Sequence, residues 1–364
     1  MRFQLLILPI IGCLTGCAPY RPPKAHVLDI NDPPANFAEV SGEAGPDDIG
    51  QFLAGMPVRS GASLSGLQQT AEYQAHRGGM SALERYSSSR LTLMRDWSDS
   101  ELAHVVGGGG TVFYPFGGPD LLYVNALFPQ ARTYVLMGLE PVGDIPALEA
   151  MPQEEVFGVL AAFRQATRDH LVAGYFVTKD MRSDLQRSSL RGVTPVLLST
   201  VALTGGRVES VNRFSAGGRP GVEIRFFDAA GVPHRACYVE GDLSNAGFDG
   251  AYRQWLAAVG GDVTYFKAAS YLMHDNRFSQ AREFFLSQSR VILQDDSGIP
   301  FRFFTRDWSL RLFGNYERPI ELFAKHQQED LRQAFAANPP RPLGFGTGYH
   351  LNPWEGNLLL AIKR

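Results

Sequence analysis

Cysteine is scarce in this chain, with three residues among 364, at positions 13, 17 and 237. They form no Cys-x-x-Cys pair, which removes the common redox and zinc-ribbon signatures. The fold must be held by its core rather than by a disulfide framework. Lysine is also sparse, five residues against 29 arginines, and the formal net charge is only −3 with no long block of either sign. Nucleic acid is therefore not an expected partner. Gly-x-Ser-x-Gly, His-Glu-x-x-His and Gly-x-x-x-x-Gly-Lys are all missing, so the common serine hydrolases, zinc proteases and phosphate-loop enzymes lose support.

What is present has the proportions of an ordinary globular protein, 45% apolar and 20% charged residues, in a chain long enough for one large or two closely packed domains. The start is different. Met1-Arg2 leads into an apolar stretch from Phe3 to Ile11, then into small residues ending Leu14-Thr15-Gly16-Cys17. A basic start, a short apolar core and small residues make an export signal, too short to span a membrane. Leu14-Thr15-Gly16-Cys17 resembles the lipobox of bacterial lipoproteins. That resemblance implies cleavage after residue 16, acylation of Cys17 and loss of Cys13 with the signal. The two or three acyl chains it implies would anchor the protein to a lipid bilayer permanently, at about 0.8 kcal/mol per buried methylene. In those lipoproteins an Asp after the acylated cysteine favours the inner membrane. Ala18 stands there in this chain, so the expected location is the outer membrane, facing the periplasm.

Residues 17–48, with Pro19, Pro22-Pro23, Pro33-Pro34 and Gly45-Pro46, read as an extended tether without apolar periodicity. Residues 49–106 read as a helical subdomain, with a helix start at Ser98, where Glu101 stands at capping-box spacing. Strand-like and helical segments alternate over 107–364. Strands are expected at Thr111–Phe116, Arg132–Leu139, Val263–Ala269, Arg290–Gln294 and Asn357–Ile362. Helices are expected near 119–128, 153–174, 193–203, 249–258 and 278–287. An antiparallel β ribbon over about 205–241 looks inserted. The expected fold class is α/β, a Rossmann-like, mainly parallel sheet with helices on both faces.

Two candidate sites follow from that architecture. At the first strand-to-helix turn, Phe116-Gly117-Gly118-Pro119-Asp120, backbone N–H groups at a helix start can meet a ligand, and Glu140 ends the next strand. The element order from about 111 onward resembles the class I S-adenosylmethionine-dependent methyltransferases, in which the first strand meets a glycine turn and the second ends in an acid. The resemblance implies S-adenosylmethionine at Gly117, Gly118 and Glu140. The chain departs from the family pattern in lacking spaced glycines, and Pro119 removes an N–H. The alternative is a structural corner with Asp120 as helix cap and Glu140 as a surface acid.

The second candidate joins Ser270-Tyr271-Leu272-Met273-His274 with Asp295-Asp296, both at strand ends on one sheet edge. His274 with Asp295 or Asp296 offers acid–base chemistry, whereas Asp-Asp-Ser-Gly is equally a turn. No metal-ligand spacing is recognised. Aromatic residues interleaved with arginines between Phe301 and Tyr316 suggest a strand with one aromatic face, and Gly344–His350 a flexible loop. The first expectation is a non-catalytic domain binding a ligand, an envelope protein or a glycan. The second is an exported enzyme, either a hydrolase using His274 or a methyltransferase-like protein using the Gly117 turn.

Overall fold

The computed structural model describes residues 44–59, 61–173, 190–337 and 339–364. The expected signal sequence, Cys17 and most of the expected tether lie outside the described residues. The chain is α/β, built on one open nine-stranded mixed sheet. In chain order the strands are β1 (Thr111–Tyr114), β2 (Thr133–Gly138), β3 (Arg207–Ala216), β4 (Arg219–Phe227), β5 (Pro233–Glu240), β6 (Val263–Phe266), β7 (Val291–Gln294), β8 (Trp308–Gly314) and β9 (Asn357–Lys363). Their spatial order is β3-β4-β5-β2-β1-β6-β7-β9-β8. The central run from β5 to β7 is parallel, β9 is antiparallel to both β7 and β8, and β3, β4 and β5 pair antiparallel.

Strand alternation explains why the sheet is covered on both sides, because successive side chains point to opposite faces. Val112, Tyr114, Tyr134, Leu136, Tyr265 and Leu293 share one core with the helices Pro46–Leu53, Ala71–Glu101, Leu121–Leu127, Gln153–Ala173 and Thr194–Leu203. Their neighbours Phe113, Val135, Met137, Phe266 and Ile292 join a second core with the helices Gly250–Val259, Ser279–Gln288 and Glu329–Ala337. The N-terminal helices thus share one continuous core with the sheet.

Several local expectations are corrected. The helix start at Ser98 does not exist, because one helix runs from Ala71 to Glu101 with Thr70 as its cap. Ser98 instead donates to the carbonyl of Leu127 at 2.5 Å, tying that helix to its neighbour. Pro46 begins a helix inside the segment expected to be tether. The expected ribbon divides: β3 and β4 form a hairpin around Gly217 and Gly218, both at positive φ, as a tight turn between twisted strands demands. β5 instead belongs to the main sheet through its parallel pairing with β2.

The aromatic segment also divides, into a 3-10 turn at Phe301–Phe303 and strand β8. Trp308 and Phe313 enter opposite cores, so no single aromatic face forms. The Gly344–His350 loop is packed rather than loose, with Phe345, Thr347 and His350 all buried.

Candidate functional site

The strand order reverses direction between β1 and β6, and a ligand in an open α/β sheet is expected beyond the carboxyl ends of the strands at that point. Two residues there hold positive φ without being glycine, Phe116 (62°) after β1 and Ala268 (61°) after β6. Such conformations cost energy and persist only where the surroundings enforce them. Between them lies a buried ion pair, Lys267 Nζ donating to Asp120 Oδ2 at 2.5 Å, with both residues no more than 3% exposed.

Asp120 is heavily used. It caps the helix Leu121–Leu127 by accepting from Tyr123 N at 3.2 Å, accepts from Tyr114 Oη at 2.7 Å, and lies 3.5 Å from His170 Nε2. Lys267 sits 4.1 Å over the Tyr123 ring. Burial pulls its ammonium below the usual lysine range, against the opposing effect of Asp120. Burial likewise lowers His170 to about 4. Arg90, Tyr123, Lys267, Thr347 and Gly348 line a void of about 10 Å³, at the lower limit for one water molecule.

The Gly117 turn beside this pair is filled from within. The Cβ position of Gly118, at φ 56°, lies 3.4 Å from Glu140 Oε2. Glu140 is 3% exposed rather than a surface acid, and its carboxylate accepts from Tyr238 Oη at 3.2 Å. Tyr238 also donates to the Glu140 carbonyl at 2.8 Å. A Cβ at Gly117 would overlap the Tyr114 ring at 2.7 Å. The glycines therefore serve close packing of protein on protein.

The second candidate is only partly assembled as the sequence suggests. Asp295 accepts from Ala268 N at 3.0 Å and from Ser297 N at 2.9 Å, fixing the strained turn after β6. Burial, then repulsion by Asp296, raises its carboxyl to about 6. Asp296 accepts from Tyr271 Oη at 2.5 Å and Asn357 Nδ2 at 3.2 Å, and its carbonyl accepts from Gln328. Ser270 is fully buried, with its hydroxyl 3.5 Å from the Lys267 carbonyl.

His274 hydrogen-bonds to neither aspartate. Its ring packs at 5.5 Å from Tyr271 and 5.0 Å from His326, and burial, then the charge of His326, lowers it to about 4. The histidine that does meet one of these two aspartates is His350, whose Nε2 lies 3.4 Å from Asp296 Oδ1. Burial pulls this imidazole down, but Asp296 outweighs it, and the result lies above the ordinary histidine value. Nothing local marks His350 within its glycine-rich loop. Lys267 did carry a signal, because the chain has only five lysines and this one stands at the end of an apolar strand segment.

His350 opens onto a cleft of about 780 Å³, within the range of ligand sites, about 300–1,000 Å³. One wall is the segment from Asn315 to Gln327 after β8, and the other carries Trp354 and Glu355 before β9. Because β8 is antiparallel to β9, and β9 to β7, its carboxyl end opens on the same edge as that of β7. The cleft thus flanks the buried aspartates. Among the described residues no group of three His, Cys, Asp or Glu side chains is placed to hold a metal ion. None of the helices described is long and apolar enough to cross a membrane.

Fold and site together define an α/β protein with an open Rossmann-like sheet, a side-chain-filled reversal point and a cleft beside it. Comparison with protein-family profiles and with curated proteins finds no match to this chain.

Proposed function

We propose that this protein is a lipid-anchored cell-envelope lipoprotein whose α/β domain binds a ligand in the cleft beside His350, not at the Gly117 turn. The observation that carries the binding reading is the contrast between the two places on one sheet edge. The reversal point is packed with Asp120, Lys267 and Tyr114, while the adjacent edge keeps a cleft of about 780 Å³. Residues at the turn do not fit an adenosine cofactor: Glu140, the acid that the methyltransferase resemblance would give to a ribose, is buried against Gly118 and Tyr238. The turn is a closed structural corner, and that resemblance concerns element order.

Anchoring rests on the N-terminal sequence through Cys17. Radiolabelled palmitate fed to expressing cells should label the wild-type protein and leave Cys17→Ser unlabelled and released from the membrane fraction. Equal membrane retention of both would overturn the anchor.

Ligand binding is tested by thermal shift of the full chain with envelope glycans, peptides, divalent cations and S-adenosylmethionine. A ligand at 100 times its Kd adds about 2.7 kcal/mol of stability. A shift that His350→Gln abolishes supports the cleft, and a shift with S-adenosylmethionine that Glu140→Gln abolishes would move the site to the turn.

An enzymatic reading has one observation in its favour, the Asp296–His350 contact at the cleft, which places a carboxylate behind an imidazole as acid–base chemistry requires. His350, rather than His274, would then be the proton carrier.

A further inference from the structure

The cleft has a composition that narrows its ligand. Trp354 is 70% exposed at its rim, the second most exposed of the large apolar side chains described, and makes no ring contact with any other described residue. An indole left in water beside a cavity presents a broad flat apolar surface of the kind that carries much of the energy at binding sites. Most of the remaining lining is polar. Glu317, Glu321 and Glu355 supply acceptors, Arg318 supplies donors, and Asn315 and Gln327 supply both.

We infer that the cleft binds a neutral saccharide, one pyranose ring stacked on Trp354 and its hydroxyls taken by the amides and charged groups of the opposite wall. This inference rests on the cleft being the ligand site. A pyranose matches the lining because it has a flat face of C–H groups and a rim of hydroxyls that both donate and accept. Other ligand classes match less well. An acyl chain would need apolar walls, and here only Pro319, Ile320, Ala324 and Trp354 are apolar. A phosphate or an acidic sugar would face three carboxylates against Arg318 and His350. A peptide adding to the sheet edge would use backbone groups of a strand, whereas the cleft is walled by the segments that follow β8 and precede β9.

His350 belongs to the same site as a positioned donor or acceptor. Asp296 lies behind its Nε2 and is itself held by Tyr271 and Asn357, so the ring orientation is set by groups buried under the cleft floor. A side chain fixed in this way loses little freedom when a ligand hydroxyl arrives.

The test is titration of the full-length protein in detergent with maltotriose and with the N-acetylglucosamine trimer, followed by calorimetry and tryptophan fluorescence. Trp354→Ala, Trp354→Phe and His350→Gln are run alongside. Trp354 is exposed, so its variants should fold, and circular dichroism checks this. Binding by either sugar, weakened at least tenfold in Trp354→Ala and largely kept in Trp354→Phe, is the expected result. Sugar binding unaffected by Trp354→Ala would overturn the placement. If neither sugar binds but a tripeptide or inorganic phosphate does, with dependence on Trp354 or His350, the saccharide inference falls and the cleft remains the ligand site. Silence from all four probes would remove the saccharide inference and count against the cleft itself.

Discussion

Lys267 donates to Asp120 at 2.5 Å across the junction of β1 and β6, joining residues 147 positions apart. The pair stands where the strand order reverses, the place an open α/β sheet ordinarily leaves for a ligand. Here that place is used to fasten the two halves of the sheet.

Breaking the pair should be costly, because one buried charge would be left alone. Lys267→Met is expected to destabilise the protein by about 3–5 kcal/mol in urea unfolding. Adding Asp120→Asn should recover part of the loss, since the uncompensated carboxylate disappears while the cap to Tyr123 and the Tyr114 contact can persist. A double variant weaker than the single by the full cost of a second independent loss would argue against the pairing.

Acid should unfold the protein through its buried histidines. Burial lowers His76, His170 and His274 each to about 4. Unfolded histidine titrates near 6.5, so between about 6.5 and 4 the unfolded state binds more protons and stability falls with pH. Asp295, raised to about 6, works in the opposite sense: its contribution is present below the unfolded carboxylate value and lost as pH rises through 6. His350, also raised, loses its contribution as pH climbs through its elevated value. Urea midpoints measured from pH 4 to 8 should therefore rise from the acid side, with His76→Gln reducing the acid slope by about one proton. Stability that increased steadily on acidification would contradict the assignment.

Two glycines at positive φ should respond differently to alanine. Gly348 has φ 58°, and an added Cβ would run into Asp295 Oδ2, a carboxylate already fixed by Ala268 N and Ser297 N. Gly218 has φ 91° with open space around the Cβ position, so only backbone strain is incurred, about 1–2 kcal/mol. Differential scanning calorimetry should show the larger fall in Tm for Gly348→Ala.

Tyr271→Phe removes the hydroxyl that donates to Asp296 at 2.5 Å and leaves the ring stacked 4.4 Å from Phe323. The expected cost is about 1–3 kcal/mol, that of an under-satisfied buried acceptor, with the shape of the core unchanged. Urea unfolding measures it, and a loss below about 0.5 kcal/mol would mean that Asn357 and His350 satisfy Asp296 without the tyrosine.

The alternation of helices and strands was legible from the chain because its cause is local. Period-two patterns such as Thr133–Gly138 place alternate residues in opposite cores, and Asp120 is a helix cap because it stands three residues before the N–H of Tyr123. The placing of Glu140 close to the glycine turn was likewise readable, since adjacent parallel strands end on one edge. Tertiary structure alone decided what those residues do. Glu140 turns inward because Tyr238 of β5 offers a buried donor, and the local pattern of β5 reads as part of a separate ribbon. Asp296 met His350 rather than His274 because β9 inserts beside β7 and carries the preceding loop over its end. Scarce cysteine said that packing must hold the molecule, and the sequence determined which face of each strand would pack. Which buried charges would find one another depended on strand order, which is set by long-range pairing and leaves no local mark.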